Sequence, residues 1–136
     1  MILLDTNICI YLIKRKPQEV LQRFNAYDVG DIAISSITVA ELEFGAQKSK
    51  FTQENKQALM QFLLPLTIVD FDASAANTYG EIRAKLEKKG TPIGSLDTLI
   101  AAHAISLKAT LITNNVKEFV RVSGLKIENW VDRFYC

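Results

Sequence analysis

The chain has 136 residues, 49% of them hydrophobic, and its 16 basic and 15 acidic side chains leave a formal net charge of +1. That size and apolar content suit one domain over residues 1–136 with a substantial core, and the balanced charge excludes nucleic-acid binding driven by bulk charge alone. No apolar run approaches the roughly 20 residues that cross a bilayer, and no basic segment leads a long apolar stretch, so a cytoplasmic protein with no membrane partner is expected. Cys9 and Cys136 lie near opposite ends and outside any Cys-x-x-Cys or Cys/His cluster, which argues against both zinc and a disulfide framework.

Short aliphatic runs alternate with longer segments of helical period, the pattern of βαβ units on a mostly parallel sheet. The first strand is expected at Ile2 to Leu4, with Asp5 directly behind it. A carboxylate there sits where open α/β sheets place their chemistry, and it could equally cap a helix starting at Thr6 to Ile8. Pro17 suits the first position of the next helix, whose apolar stripe is Val20, Leu21 and Phe24. A second strand at Ile32 to Ser35 precedes a helix beginning near Thr38, with Val39, Leu42 and Ala46 on one face. Thr38-x-x-Glu41 matches a capping box, in which Glu41 reaches back to a backbone N–H. A further helix runs from about Thr52 to Leu64 and is stopped by Pro65.

After a strand at Thr67 to Phe71, the longest helix opens at the N-cap Asp72. It aligns Ala75, Ala76, Tyr79, Ile82 and Leu86, and it ends in basic residues before Gly90. Ser95 to Leu107 is apolar on nearly every face, which predicts burial against the sheet; Asp97 falls in its first turn, where the helix dipole favours a carboxylate. The last strands are expected at Thr110 to Thr113 and, more weakly, at Leu125 to Glu128.

Each acid has a capping explanation, but parallel topology would bring Asp5, Glu41 and Asp97 to one sheet edge. Three carboxylates at close quarters repel one another unless a cation neutralises them. An oxygen-only set completed by water suits Mg2+, with Mn2+ as a substitute. Such an ion can activate a water for in-line attack on a phosphodiester. His103, the single histidine, sits within an apolar helix and is expected to be packed and hydrogen-bonded rather than a general base. Lys14-Arg15-Lys16 and Arg83, Lys85, Lys88 and Lys89 are basic patches that either follow phosphates or form solvated helix ends. Tyr11, Phe44 and Trp130 are candidates for core or for a partner surface.

Four ordered segments carry a family resemblance: Leu3-Leu4-Asp5-Thr6-Asn7; Ser35-Ser36-Ile37-Thr38-Val39-Ala40-Glu41 with Leu42 to Gly45; Pro92 to Ala104, containing Gly94-Ser95-Leu96-Asp97; and Thr113-Asn114-Asn115-Val116-Lys117-Glu118-Phe119. They resemble PIN-domain proteins, and more narrowly the VapC-type toxins of type II toxin–antitoxin modules. The resemblance implies a Rossmannoid three-layer α/β/α sandwich with a mostly parallel four- to five-stranded sheet. It also implies a Mg2+-dependent endoribonuclease acting on structured RNA such as tRNA, with Asp5 and Asp97 as metal ligands and Glu41 as a further ligand, direct or through water. Many relatives carry a fourth acid where this chain has Asn115, so Asn115 or the neighbouring Glu118 completes the set. A cognate VapB-type antitoxin covering the site, and a homodimer or a toxin–antitoxin hetero-oligomer, are implied as partners. Water as nucleophile predicts products with a 5′-phosphate and a 3′-OH. A haloacid-dehalogenase-type phosphohydrolase ranks lower, because Asn7 stands where that chemistry needs a second acid; a non-catalytic PIN scaffold that only binds RNA or protein is the rival of another class.

Overall fold

A strand buried on both faces must be apolar at most positions, and three short runs in this chain, polar only at Ser35 and Thr110, meet that condition. In the computed structural model, which describes residues 1–131, they are β1 (Ile2–Leu4), β2 (Ile32–Ser35) and β4 (Thr110–Ile112). With β3 (Thr67–Val69) and β5 (Ile127–Glu128) they form one sheet in the order β3-β2-β1-β4-β5, every neighbouring pair parallel. Cys136 lies outside the described residues.

Side-chain alternation sends the strands' residues to two separate cores. Ile2, Leu4, Ile32, Ile34 and Ile112 pack on one face beneath α1 (Thr6–Lys14), α2 (Gln18–Asn25), α3 (Ser36–Lys48) and α4 (Thr52–Leu63). Leu3, Ala33 and Leu111 pack on the other against α5 (Ala73–Lys88), α6 (Ser95–Leu107) and the short α7 (Val116–Phe119). The result is the expected three-layer α/β/α sandwich. Leu3 is fully buried in the central strand. Leu3→Ala is expected to cost about 2–5 kcal/mol through lost burial and the cavity left behind, measurable as a shift in the denaturant midpoint.

Several boundaries differ from expectation for local reasons. The third strand stops at Val69, because the chain turns out of the sheet and Phe71 donates its N–H to Ser36 Oγ at 3.0 Å. The helix after β2 begins at Ser36, two residues earlier than Thr38, because Ser35 caps it by accepting the Ile37 N–H at 3.1 Å. That removes the capping box: Thr38 is already helical, its buried hydroxyl has no partner, and Glu41 is turned elsewhere. On α5, Ala75, Ile82 and Leu86 are buried as expected, whereas Ala76 faces solvent. Trp130 is core and stacks on Tyr27, Tyr11 packs partly buried against the same core, and Phe44 is exposed.

Candidate active site

In an open parallel sheet, ligands bind beyond the carboxyl ends of the strands where strand order reverses. Here that point lies between β1 and β4: the chain runs outward from β1 to β2 and β3, then returns to the other side of β1. Asp5 follows β1 there, and its backbone N–H donates to the carbonyl of Ile112 on β4 at 3.0 Å. A cleft of about 130 Å³ opens at this position, lined by Asp5, Thr6, Asn7, Glu41, Asp97, Ile100 and Asn115. The sequence-predicted acids therefore share one site.

Asp5 caps its helix and stands in the cleft at once. Its Oδ1 accepts the Ile8 N–H at 2.9 Å, capping α1, while the carboxylate also lines the cleft. Burial pushes its pKa above the ordinary 3.8; hydrogen bonds from the Thr113 hydroxyl and the Ile8 N–H oppose the rise, and Glu41 adds to it. The Thr113 hydroxyl is aimed because its oxygen accepts the Asn115 backbone N–H at 2.9 Å. Glu41 is held by a hydroxyl as well, accepting from Thr6 Oγ1 at 2.7 Å. Thr6 and Thr113 were not anticipated as site residues. Their only sequence signal is a hydroxyl placed directly behind the first strand's acid and at the end of β4.

Asp97 stands in the first turn of α6, which Gly94 opens without a side-chain cap. Its pKa is raised to about 6, first by burial, then by Glu118 as hydrogen-bonding partner and like charge, and then by the charges of Asp5 and Glu41. Glu118 thus belongs to the acidic group. Asn115 lines the cleft and donates its amide N–H to Glu118 Oε2 at 3.2 Å. Glu118→Gln should bring the Asp97 titration part of the way down from about 6, burial keeping it above 3.8, which carboxyl-carbon NMR can follow; an unmoved Asp97 would contradict the contact.

Among the described residues, no group of three or more His, Cys, Asp or Glu side chains is arranged to hold a metal ion. The donors in the cleft are carboxylate, amide and hydroxyl oxygens. That set fits a hard cation which keeps several waters and takes one or two carboxylates, and after burial it is the neighbouring acids Glu118, Asp5 and Glu41 that raise the Asp97 pKa. An apolar groove of about 380 Å³ shares Glu41 with the cleft and runs between α1, α3 and α4, with Lys14 at its rim. Arg83 lines a smaller hollow with Pro92, Ile93 and Ser95, just ahead of Asp97, where it is paired with Glu87 and Tyr79.

The PIN domain profile matches residues 2–125, which includes every one of these acids. The chain belongs to the PIN-domain family. Relatives of this PIN domain match it over nearly all of its length. Ribonuclease VapC2 of Haemophilus influenzae is 50% identical over 129 residues, covering 95% of this chain and 97% of its own. The tRNA(fMet)-specific endonuclease VapC of Shigella flexneri is 45% identical over 128 residues, 94% of this chain and 96% of its own. A crystal structure of VapBC2 from Rickettsia felis bound to a DNA fragment from their promoter has a TM-score of 0.91 at 47% identity, over 96% of this chain and 100% of that one. This PIN domain is accordingly of the VapC type. No helix among its described residues is long and apolar enough to cross a membrane.

Proposed function

We propose that this PIN domain is the ribonuclease toxin of a toxin–antitoxin module, a metal-dependent endonuclease that hydrolyses phosphodiester bonds in structured RNA, with tRNA as the substrate class. The observation that carries this is the meeting of Asp5, Glu41 and Asp97 at the switch point of the sheet, in a chain that aligns over 94–95% of its length with VapC ribonucleases. Asp5 and Asp97 are the metal-holding carboxylates in this proposal, with Glu41 binding directly or through water. A hydrated Mg2+ or Mn2+ bound there would supply Lewis-acid activation of a water and neutralise the charge that develops around the phosphorus.

The remaining work falls to the chain's own groups. Glu41, fixed by the Thr6 hydroxyl, accepts the proton of the attacking water. Thr113 and the Ile8 N–H hold the Asp5 carboxylate in one orientation. Glu118 fills the role of a fourth acid in place of Asn115, which lends an amide to orient it. Lys14, in the groove that shares Glu41, and Arg83, in the hollow that reaches Ser95, offer contacts to phosphates flanking the cut.

The partner proposed is an antitoxin. Solved relatives include a VapBC structure from Salmonella typhimurium bound to DNA and VapBC-1 from nontypeable Haemophilus influenzae. The groove that shares Glu41 with the cleft offers an apolar seat for an amphipathic segment, whose cation could then reach the acids.

The test is to incubate the purified protein with a tRNA pool and Mg2+ and to sequence the 5′ ends of the fragments. Discrete cuts with 5′-phosphate and 3′-OH termini, lost with EDTA, are expected. Cyclic 2′,3′-phosphate ends would overturn attack by water, and RNA binding without any cleavage would favour a non-catalytic scaffold.

A further inference from the structure

His103 is the chain's single histidine and is 1% exposed within α6. Burial lowers its pKa, opposed by the nearby Asp72 and Asp70, so the ring is neutral at physiological pH. Its Nδ1 lies 2.8 Å from Ser35 Oγ. Ser35 is the residue that caps α3, its oxygen already accepting the Ile37 N–H. With one proton and a second lone pair, the Ser35 hydroxyl pairs with Nδ1 in either tautomer of the neutral ring. The Asp70 backbone lies within reach of the ring, though Nε2 has no hydrogen bond of good geometry. Phe71 closes the system from the side, its ring edge-on to the imidazole at 5.3 Å and its N–H bound to Ser36.

We propose that His103 is a positioning residue for the acidic cleft: by hydrogen bonding to Ser35, the last residue of β2 and the N-cap of α3, it ties α6, which carries Asp97, to the start of the helix that carries Glu41. The rest of the surface α6 buries is poor at this task. Ile100, Ala101, Ala102 and Ala104 are apolar and mostly small, and apolar contact is non-directional. A hydrogen bond from α6 to the junction of β2 and α3 has a required length and angle, so it sets how far α6 slides or turns relative to the start of α3. Each acid lies six positions from the joint, Glu41 after Ser35 and Asp97 before His103. That is about 9 Å of helix, short and stiff enough to carry a displacement at the joint to the carboxylates. The function of the joint rests on the proposal that those carboxylates hold a metal ion.

The experiment compares Mn2+ affinity, by electron paramagnetic resonance, of the full chain with that of His103→Leu and His103→Asn, alongside thermal melting. His103→Leu is expected to bind Mn2+ about tenfold more weakly, the usual scale for losing an outer support of a metal site. His103→Asn, whose amide reaches the Nδ1 position, should recover most of the affinity. A folded His103→Leu with wild-type affinity and only a lower melting temperature would overturn the proposal. Wild-type protein that takes up no Mn2+ would instead refute the metal site itself, and the positioning role with it. If His103→Leu does not fold, nitrogen-15 NMR of the single histidine in the wild type decides. Saturating Mg2+ must shift the Nδ1 resonance, because coupling between two sites is reciprocal, and an unmoved resonance counts against the joint.

Discussion

Asp5→Asn is expected to lower RNA cleavage by roughly 10²–10³-fold, the scale of removing one preorganised electrostatic group from an active site, while leaving the fold intact. The two halves of that expectation come from the two roles of one side chain. As a cap, Asn replaces Asp at almost no cost, since both rank at the top for accepting an N–H at a helix start. The Ile8 N–H and the Thr113 hydroxyl both keep an oxygen to donate to. As a metal ligand, Asn lacks the charge that the proposed mechanism needs. Removing that charge also relieves repulsion with Glu41 and Asp97, so the melting temperature should hold or rise. Asp5→Ala separates the roles, because it should lose activity and about 1 kcal/mol of capping as well. Gel-resolved cleavage together with thermal melting checks both halves. A folded Asp5→Asn protein that cuts RNA at the wild-type rate would end the assignment.

Removing divalent ions is expected to silence cleavage and to make stability depend on pH in an inverted sense. In the folded chain Asp97 titrates near 6, against an ordinary value of 3.8. A carboxyl whose pKa is raised by folding stabilises the fold while it is protonated. That contribution is complete below the ordinary value and is lost as pH rises through the folded one. Metal-free protein should thus lose this stabilisation between about pH 4 and pH 6. Mg2+ should restore stability where the acids are ionised, by about 2.7 kcal/mol at a free-ion concentration 100 times its Kd. Protons compete with the ion at lower pH, so the gain in melting temperature should be several degrees near pH 7.5 and much smaller near pH 5. Equal gains at both pH values would remove Asp97 from the metal site.

The outline of the fold was legible because the strands and helices differ in period and in apolar content. Ile2 to Leu4, Ile32 to Ser35 and the Ser95 to Leu107 segment stand almost as their patterns predict. What escaped depends on contacts distant in sequence. Thr38 and Glu41 have capping-box spacing, yet Ser35 is the better-placed cap and Glu41 finds Thr6 instead, 35 residues away. Glu118 could be named only as a neighbour of Asn115; its position against Asp97 follows from the return of the chain through β4 into α7. Ser35 and His103 carry no local signal of their pairing, since 68 residues separate them and each looks ordinary in its own segment.

The switch-point geometry also makes the cleft depend on one joint in the sheet. Asp5 follows β1, which lies between β2 and β4, and the Asp5 N–H is satisfied by Ile112 on β4. Glu41 follows β2 on one side of that strand, and Glu118 follows β4 on the other. Local opening between β1 and β4 would therefore part the acids before the rest of the sheet came undone, so the cleft is only as durable as that one strand pair.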